Sequence, residues 1–150
     1  MRWLAVDLGA RRIGLATCDE DESVCTPLET LGYLGPERSA VLLARRAAEL
    51  GVGGIVVGRP VTRGGVARGE LRGEALIGEL RPRTTLVVET VDESGSTREA
   101  ERRLLDAGVK WSRLREVVDR VAATVILETH IARRQANPHE RPVDLPQGRC

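Results

Sequence analysis

The chain has 150 residues, a formal charge of +1 and a 41% hydrophobic share, which admits one hydrophobic core and excludes a disordered or collagen-like chain. Three scattered cysteines, Cys18, Cys25 and Cys150, form no CxxC pair and no zinc spacing, and no apolar run is long enough to span a bilayer. With no Phe, one Tyr and two Trp, the core must be aliphatic, and an RNA binder built on a sheet of exposed aromatics is disfavoured.

The opening Met1–Gly9 is too short and too soon acidic for a signal peptide, and the odd, sparse cysteines suit a reducing compartment, so a cytoplasmic protein with no membrane partner is expected. All but one of the 23 basic residues are arginine, Lys110 being the exception. Arginine suits bidentate phosphate contacts, but a coding bias toward Arg produces the same count, so charge alone decides nothing.

Trp3–Asp7 reads as a buried strand closed by a tight turn, and Ile13–Asp19 as its antiparallel partner across a short loop. Cys25–Leu31, interrupted by Pro27, reads as an edge strand. Pro36–Leu50 has proline at its start, glycine after its end and an apolar stripe through Val41, Leu42, Ala44, Ala48 and the neighbouring apolar positions, the pattern of a helix. Gly54–Gly58 is a wholly apolar strand of the kind covered on both faces. A flexible loop at Arg63-Gly64-Gly65 leads to a glycine-diluted helix over Ala67–Leu80, then a buried strand over Thr84–Val91. Ser96 with Glu99 three residues on suggests a capping box opening a helix that ends near Gly108. A last long helix spans Ser112–Arg134, and Pro138 and Pro142 mark a polar tail. The order βββαβαβαα predicts one α/β domain over 1–136, with a tail at 137–150. Its five-stranded mixed sheet, in the order 3-2-1-4-5, should be flanked by helices.

In that arrangement the first, fourth and fifth strands run parallel, and Asp7 and Glu93 fall at carboxyl ends, the edge where open α/β sheets build sites. Asp119 lies among Val117, Val118, Val121, Val125 and Ile126, with Ala122 and Ala123 one turn on. An acid on such a face costs several kcal/mol unless it is paired or bound to metal. Taken singly, Asp7 also reads as a turn former and Asp119 as the partner of an arginine; together, on one sheet edge, they read as a site. Glu116, one turn earlier, is either a fourth ligand or a solvated helix acid. His130 and His139 share no spacing with these acids and read as packing or surface residues.

The segment Val6-Asp7-Leu8-Gly9-Ala10-Arg11-Arg12-Ile13-Gly14-Leu15-Ala16 resembles the opening motif of the YqgF/RuvX family. Three more motifs follow in order: Val56-Val57-Gly58-Arg59-Pro60, then Val91-Asp92-Glu93 with Ser96-Thr97 and Ala100, then Val118-Asp119-Arg120-Val121-Ala122-Ala123 with Ile126-Leu127. The family comprises RNase H-fold proteins described as candidate pre-16S rRNA nucleases or Holliday-junction-resolvase-like proteins. The resemblance implies an RNase H-like fold and a nuclease whose acidic triad, Asp7, Glu93 and Asp119, holds Mg²⁺ or Mn²⁺. It also implies that Arg11, Arg12 and Thr97 face nucleic acid. Two positions depart from the family pattern. Ser94 and Gly95 stand where an arginine usually follows the Asp-Glu pair, and Arg59 replaces the usual Leu of a Gly-Leu-Pro. Either Arg98 or Arg59 substitutes for the missing guanidinium, or activity is weak.

Two readings compete: a metal-dependent nuclease acting on an RNA precursor or branched DNA, and a catalytically silent nucleic-acid-binding regulatory domain. An interaction protein using only the fold is a weaker third. Three intact acids favour the nuclease, because a pure binder gains nothing by clustering acids near phosphates. RNA or DNA junction, exo- or endonucleolytic action, and monomer or homodimer stay open at this level.

Overall fold

The computed structural model describes residues 1–60, 68–93 and 95–137, with the backbone alone at 60, 68–70 and 93. The expected Arg63-Gly64-Gly65 loop, Ser94, the tail beyond 137 with His139, and Cys150 lie outside the described residues. The chain forms β1 (Trp3–Leu8), β2 (Arg12–Cys18), β3 (Cys25–Gly32), α1 (Pro36–Leu50), β4 (Gly54–Pro60) and α2 (Arg68–Leu80). A 3-10 turn (Arg81–Arg83), β5 (Val87–Glu93), α3 (Ser96–Asp106) and α4 (Trp111–Ala136) follow. The sheet order is β3-β2-β1-β4-β5. The β1–β2 and β2–β3 pairs are antiparallel, whereas β1–β4 and β4–β5 are parallel. Pro27 does sit on the edge strand, opposite Ala16.

Both faces of the sheet are covered, which is why β1 and β4 read as continuous apolar runs. Leu4, Val6, Ile13, Leu15, Ile55 and Val57 pack with Ala40, Leu43 and Ala47 of α1 and Leu76 and Leu80 of α2. On the other face, Trp3, Ala5, Ala16, Val56 and Val91 pack with Ala123, Ile126 and Leu127 of α4. The Trp3 ring lies where a Cβ on Gly54 would stand, 2.5 Å from that position, so the glycine makes room for the largest core side chain. Helix α3 meets α4 through Ala100, Val118 and Ala122, and the Arg103 guanidinium donates to both Glu128 carboxylate oxygens at 3.1 and 2.7 Å.

Three local expectations need correction. Ala40, Leu43 and Ala47 form the buried stripe of α1, while Val41 and Ala48 face solvent. The stripe is thus carried by the neighbouring apolar positions, with Ala44 packed beside them, because small alanines on both sides of the helix blur the moment. Strand β5 runs Val87–Glu93 rather than Thr84–Val91: β4 pairs with it from Gly54↔Val87 to Pro60↔Glu93, and Thr84 folds back so that its Oγ1 accepts from the Leu86 N–H at 3.1 Å. The capping box does not form. Gly95, left-handed at φ 83, is the N-cap of α3, and the Glu99 carboxylate binds Arg102 and Arg103 instead of reaching back.

Candidate acidic site at the sheet edge

The parallel strands β1, β4 and β5 end on one side of the sheet, and this topology brings Asp7, Pro60 and Glu93 to a common edge. Asp7 is half-buried and stands directly opposite Gly14 of β2. Gly9 closes the intervening turn by donating its N–H to the Arg12 carbonyl at 2.8 Å, and the Tyr33 N–H binds the Arg11 carbonyl at 2.9 Å. The loop carrying both arginines is therefore tied to the strands on either side.

Asp119 reaches the same place from α4. A Cβ on Gly14 would lie 2.0 Å from the Asp119 carbonyl oxygen and 2.1 Å from its carbon, so the helix backbone rests directly on the strand beside Asp7. Only glycine permits that approach. The Asp119 side chain is 18% exposed, and the Arg12 Nε lies 3.0 Å from its Oδ2. Although that distance makes an ion pair, the buried Oδ2 accepts no well-directed hydrogen bond from the described residues. Burial pushes the Asp119 carboxyl above its ordinary pKa, and the Arg12 charge only partly offsets this. A hard, half-desolvated carboxylate with an unfilled lone pair is a donor suited to Mg²⁺ or Mn²⁺.

Position 93 closes β5 in the same row as Glu89 and Val91, two strands from Asp7, while the Glu93 side chain lies outside the described residues. Among the described residues no group of three His, Cys, Asp or Glu side chains converges as a metal site. Arg11 is exposed at the rim, and Thr97 and Arg98 are exposed in the first turn of α3, just beyond the end of β5. Arg59 is not drawn to Asp119. It lies 3.3 Å from Glu74 of α2, on the opposite face of the sheet. Glu116 is exposed.

Gly14 is the residue the reading of acids and arginines passed over. Its signal was present, since an isolated glycine inside a strand often marks the close approach of another backbone. His130 is a packing residue: it is 5% exposed, edge-on to the Trp3 ring at 4.4 Å and 3.4 Å from the Glu89 carboxylate. Cys18 and Cys25 are cross-strand neighbours, both free, with thiol pKa values raised by burial.

The strand order, the helices on both faces and the carboxyl-edge acids define an RNase H-like α/β protein. Residues 1–133 match the family described as RuvX: Holliday junction resolvase, and the chain belongs to that family. A relative from Chloroflexus aurantiacus, named as a candidate pre-16S rRNA nuclease, is 35% identical over 148 residues, covering 95% of this chain and 94% of its own. Another of that name, from an Anaeromyxobacter species, is 38% identical and covers 91% of this chain and 100% of its own. Among solved structures, Thermus thermophilus RuvC bound to a Holliday junction superposes with a TM-score of 0.57 at 12% identity, covering 90% of this chain and 96% of that one. The large terminase nuclease of the thermophilic phage G20c gives 0.55 at 12% identity, covering 86% and 81%. At such identities these structures speak for the fold alone. Family membership places the chain among nuclease- and resolvase-related proteins.

Proposed function

We propose that this chain is a metal-dependent nuclease that hydrolyses phosphodiester bonds in structured nucleic acid, with an rRNA precursor as its first-choice substrate. The observation that carries the reading is the seating of Asp119 on Gly14, the cross-strand partner of Asp7. It delivers a desolvated helix carboxylate to the strand-end acid, an expensive arrangement with no evident structural return. The rRNA precursor is placed first because relatives 35% and 38% identical over most of this chain carry that name, while the family description keeps a DNA junction as the second substrate to test.

Asp7, Glu93 and Asp119 are the groups that would hold Mg²⁺ or Mn²⁺. Such ions, when bound, supply an activated water and charge relief at the leaving oxygen. The chain itself contributes positioning. Arg12 pairs with Asp119 and would be free to turn its guanidinium to a substrate phosphate if a cation took its place. Arg11, Thr97 and Arg98 hold phosphates flanking the scissile one, fixing register without reading sequence. The Arg12–Asp119 pair also favours a second reading, a silent binder in which that pair is permanent.

The test presents purified protein and Mn²⁺ with rRNA precursor, single-stranded RNA and four-way DNA junctions side by side. Cleavage of the precursor is expected, and Asp7→Asn should take it below detection while leaving fold and nucleic-acid binding intact. The amide keeps the shape of the side chain and gives up its charge, and each 1.36 kcal/mol of lost transition-state stabilisation costs about tenfold in rate. Activity that survives EDTA, or is equal in Asp7→Asn, removes the metal-nuclease reading. Binding without cleavage of any substrate favours the silent binder.

A further inference from the structure

Trp111, the first residue of α4, is 73% exposed, in a chain that has one other Trp, one Tyr and no Phe. The other indole, Trp3, is fully buried. Among the described residues Trp111 is more exposed than any other large apolar side chain, Val24, Leu34 and Leu71 being the next, and it alone of these offers a flat aromatic face. Its surroundings are basic. Lys110, Arg113 and Arg115 are exposed, the first turn of α4 holds no acid, and among the described residues no carboxylate pairs with any of the three. Glu116 is the one acid in the first two turns.

The geometry ties this surface to the acidic site. Trp111, Arg115 and Asp119 are spaced i, i+4, i+8, so they form one stripe along the helix. Asp119 sits against the sheet edge at Gly14, and the helix continues beyond that edge toward Trp111. Eight residues at 1.5 Å per residue put the indole about 12 Å from the acid, three to four stacked nucleotide steps of about 3.4 Å.

We infer that Trp111, with Arg115 and its basic neighbours, is a stacking platform for an unpaired stretch of nucleic acid leading into the acidic site. The inference rests on the nucleic-acid reading above and adds to it the form of the substrate. An indole stacks on any base, and guanidinium groups beside it hold the backbone, which gives affinity without sequence preference. Paired bases hide their faces in the duplex, so the occupant is a single-stranded end, loop or branch rather than a continuous helix. Charge complementarity selects this occupant over a second copy of the chain, whose matching face would carry the same positive charge. One indole does not make an aromatic sheet, but it suffices for one base.

The test follows tryptophan emission without divalent metal while a single-stranded oligonucleotide of about 12 nucleotides, within the usual range of single-strand sites, is titrated in. Trp3 contributes a constant background because it is sealed in the core. Emission should be quenched in step with the anisotropy of a labelled strand, whereas a dinucleotide, too short to span the stripe, should quench little. Trp111→Ala should abolish the quench and weaken binding about tenfold, the size of one lost base–aromatic stack. Trp111→Phe should retain most of the affinity. Being exposed, position 111 can lose its ring without loss of fold.

Binding with no change in emission, or equal affinity in Trp111→Ala, overturns the platform and leaves the nuclease reading standing. So does binding of duplex or junction in preference to the single strand. Emission that shifts with protein concentration alone would mean that a second copy covers Trp111, and overturns it too. Absence of binding to any nucleic acid overturns both readings. Quenching without cleavage under Mn²⁺ supports the platform while removing the nuclease.

Discussion

Arg12 and Asp119 are a contest between two cations for one carboxylate. The guanidinium lies 3.0 Å from Oδ2, where it limits the cost of a buried charge. Under the proposed function a divalent ion would displace it, and a nucleic-acid phosphate would offer the displaced guanidinium a new partner. Metal and nucleic acid should therefore bind cooperatively. Arg12→Gln is expected to raise Mn²⁺ affinity severalfold in the absence of nucleic acid, a modest gain because the guanidinium is 46% exposed and screened by solvent. The same substitution should lower the salt slope of nucleic-acid binding by about 1, as expected for one lost phosphate contact. Calorimetric titration of both variants decides the point, and unchanged Mn²⁺ affinity would remove Arg12 from the metal's place.

Between elements, the contact that builds the site is α4 lying on β2. Its closeness depends on Gly14, because the carbonyl of Asp119 occupies the space of a side chain at 14. Gly14→Ala forces main-chain atoms apart, not a flexible side-chain tip. A loss of about 3 kcal/mol of stability is expected in urea, at the upper end of overpacking costs. The fraction that still folds should have no nuclease activity, since Asp119 is displaced from Asp7. Gly58→Ala is the comparison: its new methyl meets only side-chain atoms, the Cδ1 of Ile126 at 2.3 Å and its Cγ1 at 2.9 Å, so it overpacks the core without pushing main chains apart. Comparable losses in the two variants would mean that the helix is not held where the site needs it.

Over the whole molecule, the two ends of the sheet do different work. Asp7 and Asp119 lie toward the carboxyl edge of β1, while beneath the far end of α4 lies a buried polar group around Trp3. His130 faces Glu89 of β5 and Trp3 of β1, Arg134 stacks over the Trp3 ring at 4.9 Å, and the Trp3 Nε1–H donates to Glu22 at 3.0 Å. Burial first, then Arg134, depresses the pKa of His130 from 6.5 to about 4. The folded protein thus keeps His130 neutral while the unfolded chain takes up a proton below 6.5. Stability from this residue is complete above pH 6.5 and is lost as pH falls toward 4, by about 3 kcal/mol at 1.36 per unit. Glu89 and Asp119, both raised, act in the opposite sense: they stabilise at acid pH and lose that contribution as pH rises through their folded values. Comparing wild type with His130→Gln isolates the histidine. The stability difference between them should shrink by about 3 kcal/mol in favour of the mutant from pH 7 to pH 4. A difference independent of pH would show that His130 titrates in the fold as it does in the unfolded chain, and would overturn the depressed pKa.

Much of this protein is written locally. The alternation and apolar runs of the strands, the proline and glycine bounding α1 and the lengths of the crossovers determine the sheet order, because each depends on residues a few places apart and on short connections. Asp7 was legible as a strand-end acid and Asp119 as an acid on an apolar helix face for the same reason. Other features depend on residues far apart in the chain, and those the tertiary structure alone decided. The α1 stripe was settled by which alanines meet the sheet, and the start of α3 by arginines that claimed Glu99. Arg59 was taken by Glu74 of α2 on the far face, and Arg12 was brought onto Asp119 across 107 positions of sequence. The burial of His130 and the exposure of Trp111 belong here too, since both rings lie on one helix whose local pattern does not say where the sheet beneath it ends. Propensity and periodicity act along the chain, whereas charge pairing and desolvation act through space, and the site is made by the second pair.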